Sequence, residues 1–75
     1  MAKYIIKNNL PTESVHTPSV WKTAEAAQED FNDIAVLLTR KYHTKIFFRT
    51  EPLRGRIQVE IDGFFYYVEL YKSEE

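Results

Sequence analysis

Arg56-Ile57-Gln58-Val59-Glu60-Ile61-Asp62-Gly63-Phe64-Phe65-Tyr66-Tyr67-Val68-Glu69-Leu70-Tyr71-Lys72 is the stretch that decides the fold. Its first half alternates, with Ile57, Val59 and Ile61 on one side and Arg56, Gln58, Glu60 and Asp62 on the other. Successive side chains of a strand point to opposite faces, so a period of two is the mark of a half-buried strand. Asp62-Gly63 then turns the chain, because both central positions of a type I′ hairpin need positive φ. The returning half, 64–72, has its parity set by the charge of Glu69. Phe64, Tyr66, Val68 and Leu70 face inward, and Phe65, Tyr67 and Tyr71 share the outer face with Glu69.

Upstream, Lys45-Ile46-Phe47-Phe48-Arg49-Thr50 reads as a further strand, followed by a turn at Glu51-Pro52-Leu53-Arg54-Gly55. Lys45 and Arg49 flank Phe47, which sends Phe47 outward and Ile46 and Phe48 inward. Before it, apolar residues recur at three-and-four spacing: Val20, Ala24, Ala27, Phe31, Ile34, Ala35, Leu38 and Tyr42. That spacing is one face of a helix. Thr17-Pro18 is a suitable start, since threonine caps an orphan N–H and proline at the first helical position loses no hydrogen bond. Arg40 and Lys41 suit the negative end of the macrodipole. Tyr4-Ile5-Ile6, between lysines and ending at Asn8-Asn9, is a short strand. Leu10 to Thr17 reads as a connecting loop in which Val15 is the only strong apolar anchor.

The expected fold is therefore α+β, in the order β-α-β-β-β: an antiparallel sheet with one long helix packed on one face. A helix reaching from Pro18 to Tyr42 would run roughly 37 Å and overhang strands of about 20–27 Å. Trp21, Val36 and Leu37 lie off its main stripe and are the residues available for self-association, a homodimer being one outcome. The alternative is that the N-terminal strand and the loop cover them.

With 75 residues, the chain is expected to form a single small domain over 1–75. A hydrophobic content of 44%, with 15% aromatic, is too rich for a disordered chain. The absence of cysteine excludes disulfides, thiolate zinc sites and thiol catalysis, and suits a reducing, cytoplasmic compartment. A formal charge of −1 gives no general pull toward nucleic acid or anionic membrane. No apolar run approaches the roughly 18–20 residues that span a bilayer, and the N-terminus lacks the apolar core of a signal peptide.

Chemistry is sparse. His16 and His43 have no second ligand at helical spacing, and His43, near the helix end, suits the dipole there. Glu60, Asp62 and Glu69 could in principle hold a cation or work as an acid–base pair, but cations surround them and a solvated, salt-bridged face is the better reading. The serines have no glycine elbow, and neither glycine belongs to a phosphate-cradling loop. Nothing argues for an enzyme, a cofactor or a metal.

What stands out is an outer face with Phe47, Phe65, Tyr67 and Tyr71 beside Arg49, Arg54 and Arg56. An exposed apolar patch of several hundred Å² usually marks a binding surface, although the rings could instead pair across strands and only stabilise the sheet. Aromatics interleaved with cations are also the chemistry by which sheets bind single-stranded RNA, without the aromatic-glycine signature of RNA-recognition sheets. A protein partner suits mixed charge and aromatics better. In size, lack of cysteine and compact α+β organisation the chain resembles the accessory inhibitors that bacteriophages encode against host machinery, anti-CRISPR proteins included. The resemblance implies a steric inhibitor and carries no site residues across. The expectation is a non-enzymatic module that binds a larger protein, with single-stranded nucleic acid as the alternative partner and no membrane.

Overall fold

The computed structural model describes residues 2–11 and 19–74. The expected loop anchor Val15, the helix start Thr17-Pro18 and His16 lie outside the described residues. The elements are β1 (Ala2–Asn8), β2 (Ser19–Trp21), α1 (Ala24–Lys41), β3 (His43–Thr50), β4 (Leu53–Ile61) and β5 (Phe64–Glu74). All pairings are antiparallel, and the five strands lie in the order β2-β1-β5-β4-β3 with α1 packed across one face. The α+β class, with one helix on an antiparallel sheet, is as expected.

Five strands stand where four were expected, because Ser19–Trp21 pairs with Tyr4–Ile6 instead of opening the helix. Val20-Trp21 is a β-branched and aromatic pair, a favourable strand dipeptide once an edge is offered to it. The helix starts at Ala24 behind Thr23, whose backbone is extended and whose Oγ1 accepts a hydrogen bond from the Ala26 N–H. Its 18 residues span about 27 Å, so the expected overhang disappears. At the other end the Tyr42 N–H donates to the Leu38 carbonyl, Arg40 and Lys41 occupy the last turn, and His43 is already the first residue of β3.

The turn after β3 is also tighter than the sequence suggested. It comprises Glu51-Pro52, joined by a cis peptide bond, and Leu53, Arg54 and Gly55 belong to β4. The Asp62-Gly63 turn is as expected, with φ of 52° and 83°, and it closes the Ile61↔Phe64 pair. Asp62 thereby belongs to the turn and not to the outer face of β4.

Every strand parity expected for β3, β4 and β5 is found. Leu53, Ile57, Val59, Val68 and Leu70 are buried beneath α1 with Ile6, and the helix contributes Ala27, Phe31 and Ala35. Gly55 permits the closest contact. A Cβ built there would meet the Phe31 ring at 2.6 Å, so the ring lies on bare β4 backbone, and it stacks on Phe48 with centroids 5.8 Å apart.

One helix about 10 Å across cannot shield five strands spaced about 4.8 Å apart. The uncovered part of the inner face is at β3 and at the β4–β5 turn. Ile46, Phe48 and Phe64 all point to the helix side as expected, yet remain 51%, 39% and 67% exposed.

Replacing Gly55 by alanine forces Phe31 off the backbone. Overpacking of this kind should cost about 1–3 kcal/mol, read as a lower urea midpoint at unchanged slope. Combining Gly55→Ala with Phe31→Leu should recover part of that loss. An unaltered midpoint for Gly55→Ala would contradict the contact.

Candidate functional site

The residues singled out for binding come together on the face of the sheet away from α1. The pairings arrange that face in rows across the strands. One row runs Val20, Ile5, Tyr71, Arg54, Arg49. The next runs Lys7, Glu69, Arg56, Phe47. Beyond these come Tyr67, Gln58, Lys45 and then Phe65, Glu60, His43. Phe47, Arg49, Arg54, Arg56, Phe65, Tyr67 and Tyr71 thus share one surface, and Arg54 is a strand residue there, not part of a turn.

The rings on this face are of two kinds. Phe47 and Phe65 are 53% and 54% exposed, whereas Tyr67 and Tyr71 are half-buried. Cations explain the difference in part. The Arg56 guanidinium lies over the Tyr67 ring at 4.0 Å from its centroid, and Lys7 Nζ lies over Tyr71 at 5.4 Å. Arg49 approaches the Phe47 ring at 5.8 Å. A guanidinium over an aromatic face is attracted by the ring quadrupole and shields it from water. Tyr67 is therefore reached through Arg56, and Phe47 is the more open of the two.

Tyr67 is also held by its backbone. Its N–H donates to Asn9 Oδ1 at 2.7 Å, and the Asn9 N–H donates to its carbonyl at 3.2 Å. The Leu10 N–H donates to Asn8 Oδ1, so the Asn8-Asn9 pair that ends β1 also ties the following chain to β5. Shallow grooves flank this position. One of about 200 Å³ is lined by Lys45, Ile46, Phe47, Arg56, Gln58 and Tyr67, and another of about 250 Å³ by Lys7, Asn8, Asn9, Tyr67 and Glu69. Both fall below the roughly 300–1,000 Å³ of a typical small-molecule pocket. They match the size of protruding side chains.

Charge is segregated. The outer face carries Lys3, Lys7, Lys45, Arg49, Arg54 and Arg56 against Glu60 and Glu69, a net of +4 in a chain whose total is −1. The surplus of acid lies elsewhere, including Glu25, Glu29, Asp30 and Asp33 on α1. Glu69 stands between Lys7 and Arg56, and Glu60 between His43 and Phe65, each without a second carboxylate as cross-strand partner. Among the described residues no group of three metal-binding side chains forms.

Ile5, Val20, Lys3 and Lys7 also lie on this face, and sequence reasoning did not place them there. The odd positions Lys3, Ile5 and Lys7 carry the signal for β1, since two lysines on one side of a strand mark its wet face. Val20 carries no such signal, because its spacing from Ala24 and Ala27 reads as helix.

The residues proposed for self-association separate. Val36 and Leu37 are exposed on α1. Trp21 is not on the helix: it is on the inner side of β2, half-buried against the core, with its Nε1 buried and lacking a hydrogen-bond partner among the described residues. It borders a groove with Ala26, Glu29, Asp30 and Asp33. No helix among the described residues is long and apolar enough to cross a membrane. Comparison with protein-family models, with curated proteins and with solved structures gave no match.

A double-mutant cycle on Arg56→Ala and Tyr67→Ala should return a coupling of about 0.5–1 kcal/mol for the Arg56–Tyr67 stack. Strictly additive single and double variants would show that the guanidinium does not hold the ring.

Proposed function

We propose that this chain is a non-enzymatic protein-binding module that acts sterically on a larger protein through the outer face of its sheet. The observation that carries the reading is the open Phe47–Phe65 surface beside the Arg56–Tyr67 stack, on a face of net charge +4. Aromatic and arginine side chains of this kind supply most of the energy of protein interfaces. The charge points to a partner that is acidic where it meets the module. Grooves of side-chain size on either side of Tyr67 fit protruding residues of such a partner. A small steric inhibitor of the kind phages encode would have this form, and a cysteine-free chain is compatible with an encounter in the cytoplasm.

A second reading, single-stranded nucleic acid, draws support from the same six cations, since lysine and arginine neutralise phosphates. It is the weaker reading because base stacking needs free ring faces, and here cations already lie over Tyr67 and Tyr71.

Immobilised protein should capture its partner from a host lysate, and Phe47→Ala and Arg56→Glu should each reduce that capture by about tenfold or more. Tyr67→Ala should weaken capture and leave the circular dichroism spectrum folded. Val36→Ala, on the helix, should leave capture unchanged. Full capture by both face variants would remove the outer face from the proposal.

Titration with random single-stranded RNA at 50 and 200 mM salt separates the two partner classes. The protein reading expects binding that is absent or unaffected by salt, whereas affinity that falls steeply between the two concentrations would favour nucleic acid.

A further inference from the structure

β3 ends the sheet, and among the described residues nothing pairs with its outer side. Alternate N–H and C=O groups of such a strand point away from the sheet and form a template for another strand. Proteins usually blunt an edge by brevity, by proline, by a bulge or by a covering element. The other edge, β2, is three residues long, but β3 has eight. Residues 43–50 contain no proline or glycine, and they pair with β4 without interruption from His43↔Glu60 to Thr50↔Leu53. The helix leaves Ile46 and Phe48 partly uncovered on one face, and Phe47 is open on the other.

Among the described residues the device that limits this edge is charge. Lys45 and Arg49 stand on either side of Phe47 on the outer face, with Arg56 behind Phe47 and Arg54 behind Arg49 on β4.

We propose that β3 is the docking strand for an extended acidic–apolar segment of the partner protein, which joins the sheet as a further strand by main-chain hydrogen bonding. This inference rests on the protein-binding reading above and names the partner element that the module recognises. Directly opposed residues on neighbouring antiparallel strands have Cβ atoms about 4.5–5.5 Å apart. Carboxylates of the segment would therefore meet Lys45 and Arg49. Positions opposite Ile46 and Phe48 fall on the helix side and take apolar residues, and the one opposite Phe47 takes an aromatic or aliphatic residue. The resulting motif, acidic–apolar–apolar–apolar–acidic, reads the same in both directions.

Charge argues against a second copy of this chain as the occupant. Antiparallel pairing of two β3 strands centred on Phe47, the register that brings the apolar residues together, sets Lys45 against Arg49 on both sides of the axis. Like charges directly opposed destabilise a ladder. A nucleic acid has no amide ladder to offer the edge.

The test uses the full chain, labelled with nitrogen-15, and the peptide Ser-Glu-Val-Tyr-Val-Glu-Ser. Its counterparts are a version with lysine for glutamate and a version with proline for the central tyrosine. The glutamate peptide should shift the amides of 44–49 and slow the solvent exchange of alternate amides there. Both counterparts should bind about tenfold more weakly. The double variant Lys45→Glu/Arg49→Glu, at two exposed positions, should reverse the preference in favour of the lysine peptide.

Equal binding of the glutamate and lysine peptides, or no binding at millimolar concentration, would overturn the proposal. So would β3 protection in the free protein that rises with concentration alongside a dimer in sedimentation, since the occupant would then be a second copy. Shifts confined to residues 65–71 without protection in β3 would end the edge proposal and leave the face reading standing. Protection of β3 with the glutamate peptide, together with full partner capture by Phe47→Ala and Arg56→Glu, would support the edge and sink the face.

Discussion

The contact between Phe31 and Gly55 sets the relation of helix to sheet. A phenyl ring resting on backbone where no Cβ intervenes brings α1 closer to β4 than any other residue there would allow. The same ring stacks on Phe48, so one side chain ties the helix to two strands at once. With Ala27 and Ala35 one turn away on either side, the helix presents small residues around a single large one. That arrangement fixes where the helix lies, and so which part of the inner face it leaves bare.

The bare part and the charged part of the sheet meet at β3. On one side of that strand, Ile46 and Phe48 extend beyond the helix, and on the other Phe47 stands among arginines. A chain that is nearly neutral overall has sorted its charges so that the helix is acidic and the sheet is basic. Net charge is a poor guide to such a molecule, because potentials close to a surface depend on the local arrangement.

The face of the sheet was legible in the sequence because charged residues on three successive strands declare which parity is wet. Lys45 and Arg49, Arg56 and Glu60, and Glu69 each assign a whole strand, since side chains alternate without exception along an unbulged ladder. The Asp62-Gly63 turn was legible for a different reason, as its conformation has few other tenants. The helix start was not. Thr17-Pro18 offers a stronger local cap than Thr23, and Val20 falls in phase with Ala24 and Ala27. What decides the matter is the free edge of β1, 17 positions from Trp21 at Tyr4↔Trp21 and invisible to a local pattern. Gly55 misled similarly: beside Pro52 it reads as part of a turn, whereas its purpose is to accommodate a ring from another element. The pairing of arginines with rings depends on register between strands, and no single stretch of chain records it.

The placement of β1 between β2 and the central strand β5 brings the first and last described residues side by side as the pair Ala2↔Glu74. Two segments far apart in the chain therefore share one seam, and detachment of β1 would lay bare the flank of β5 along its whole pairing, from Asn8↔Val68 to Ala2↔Glu74.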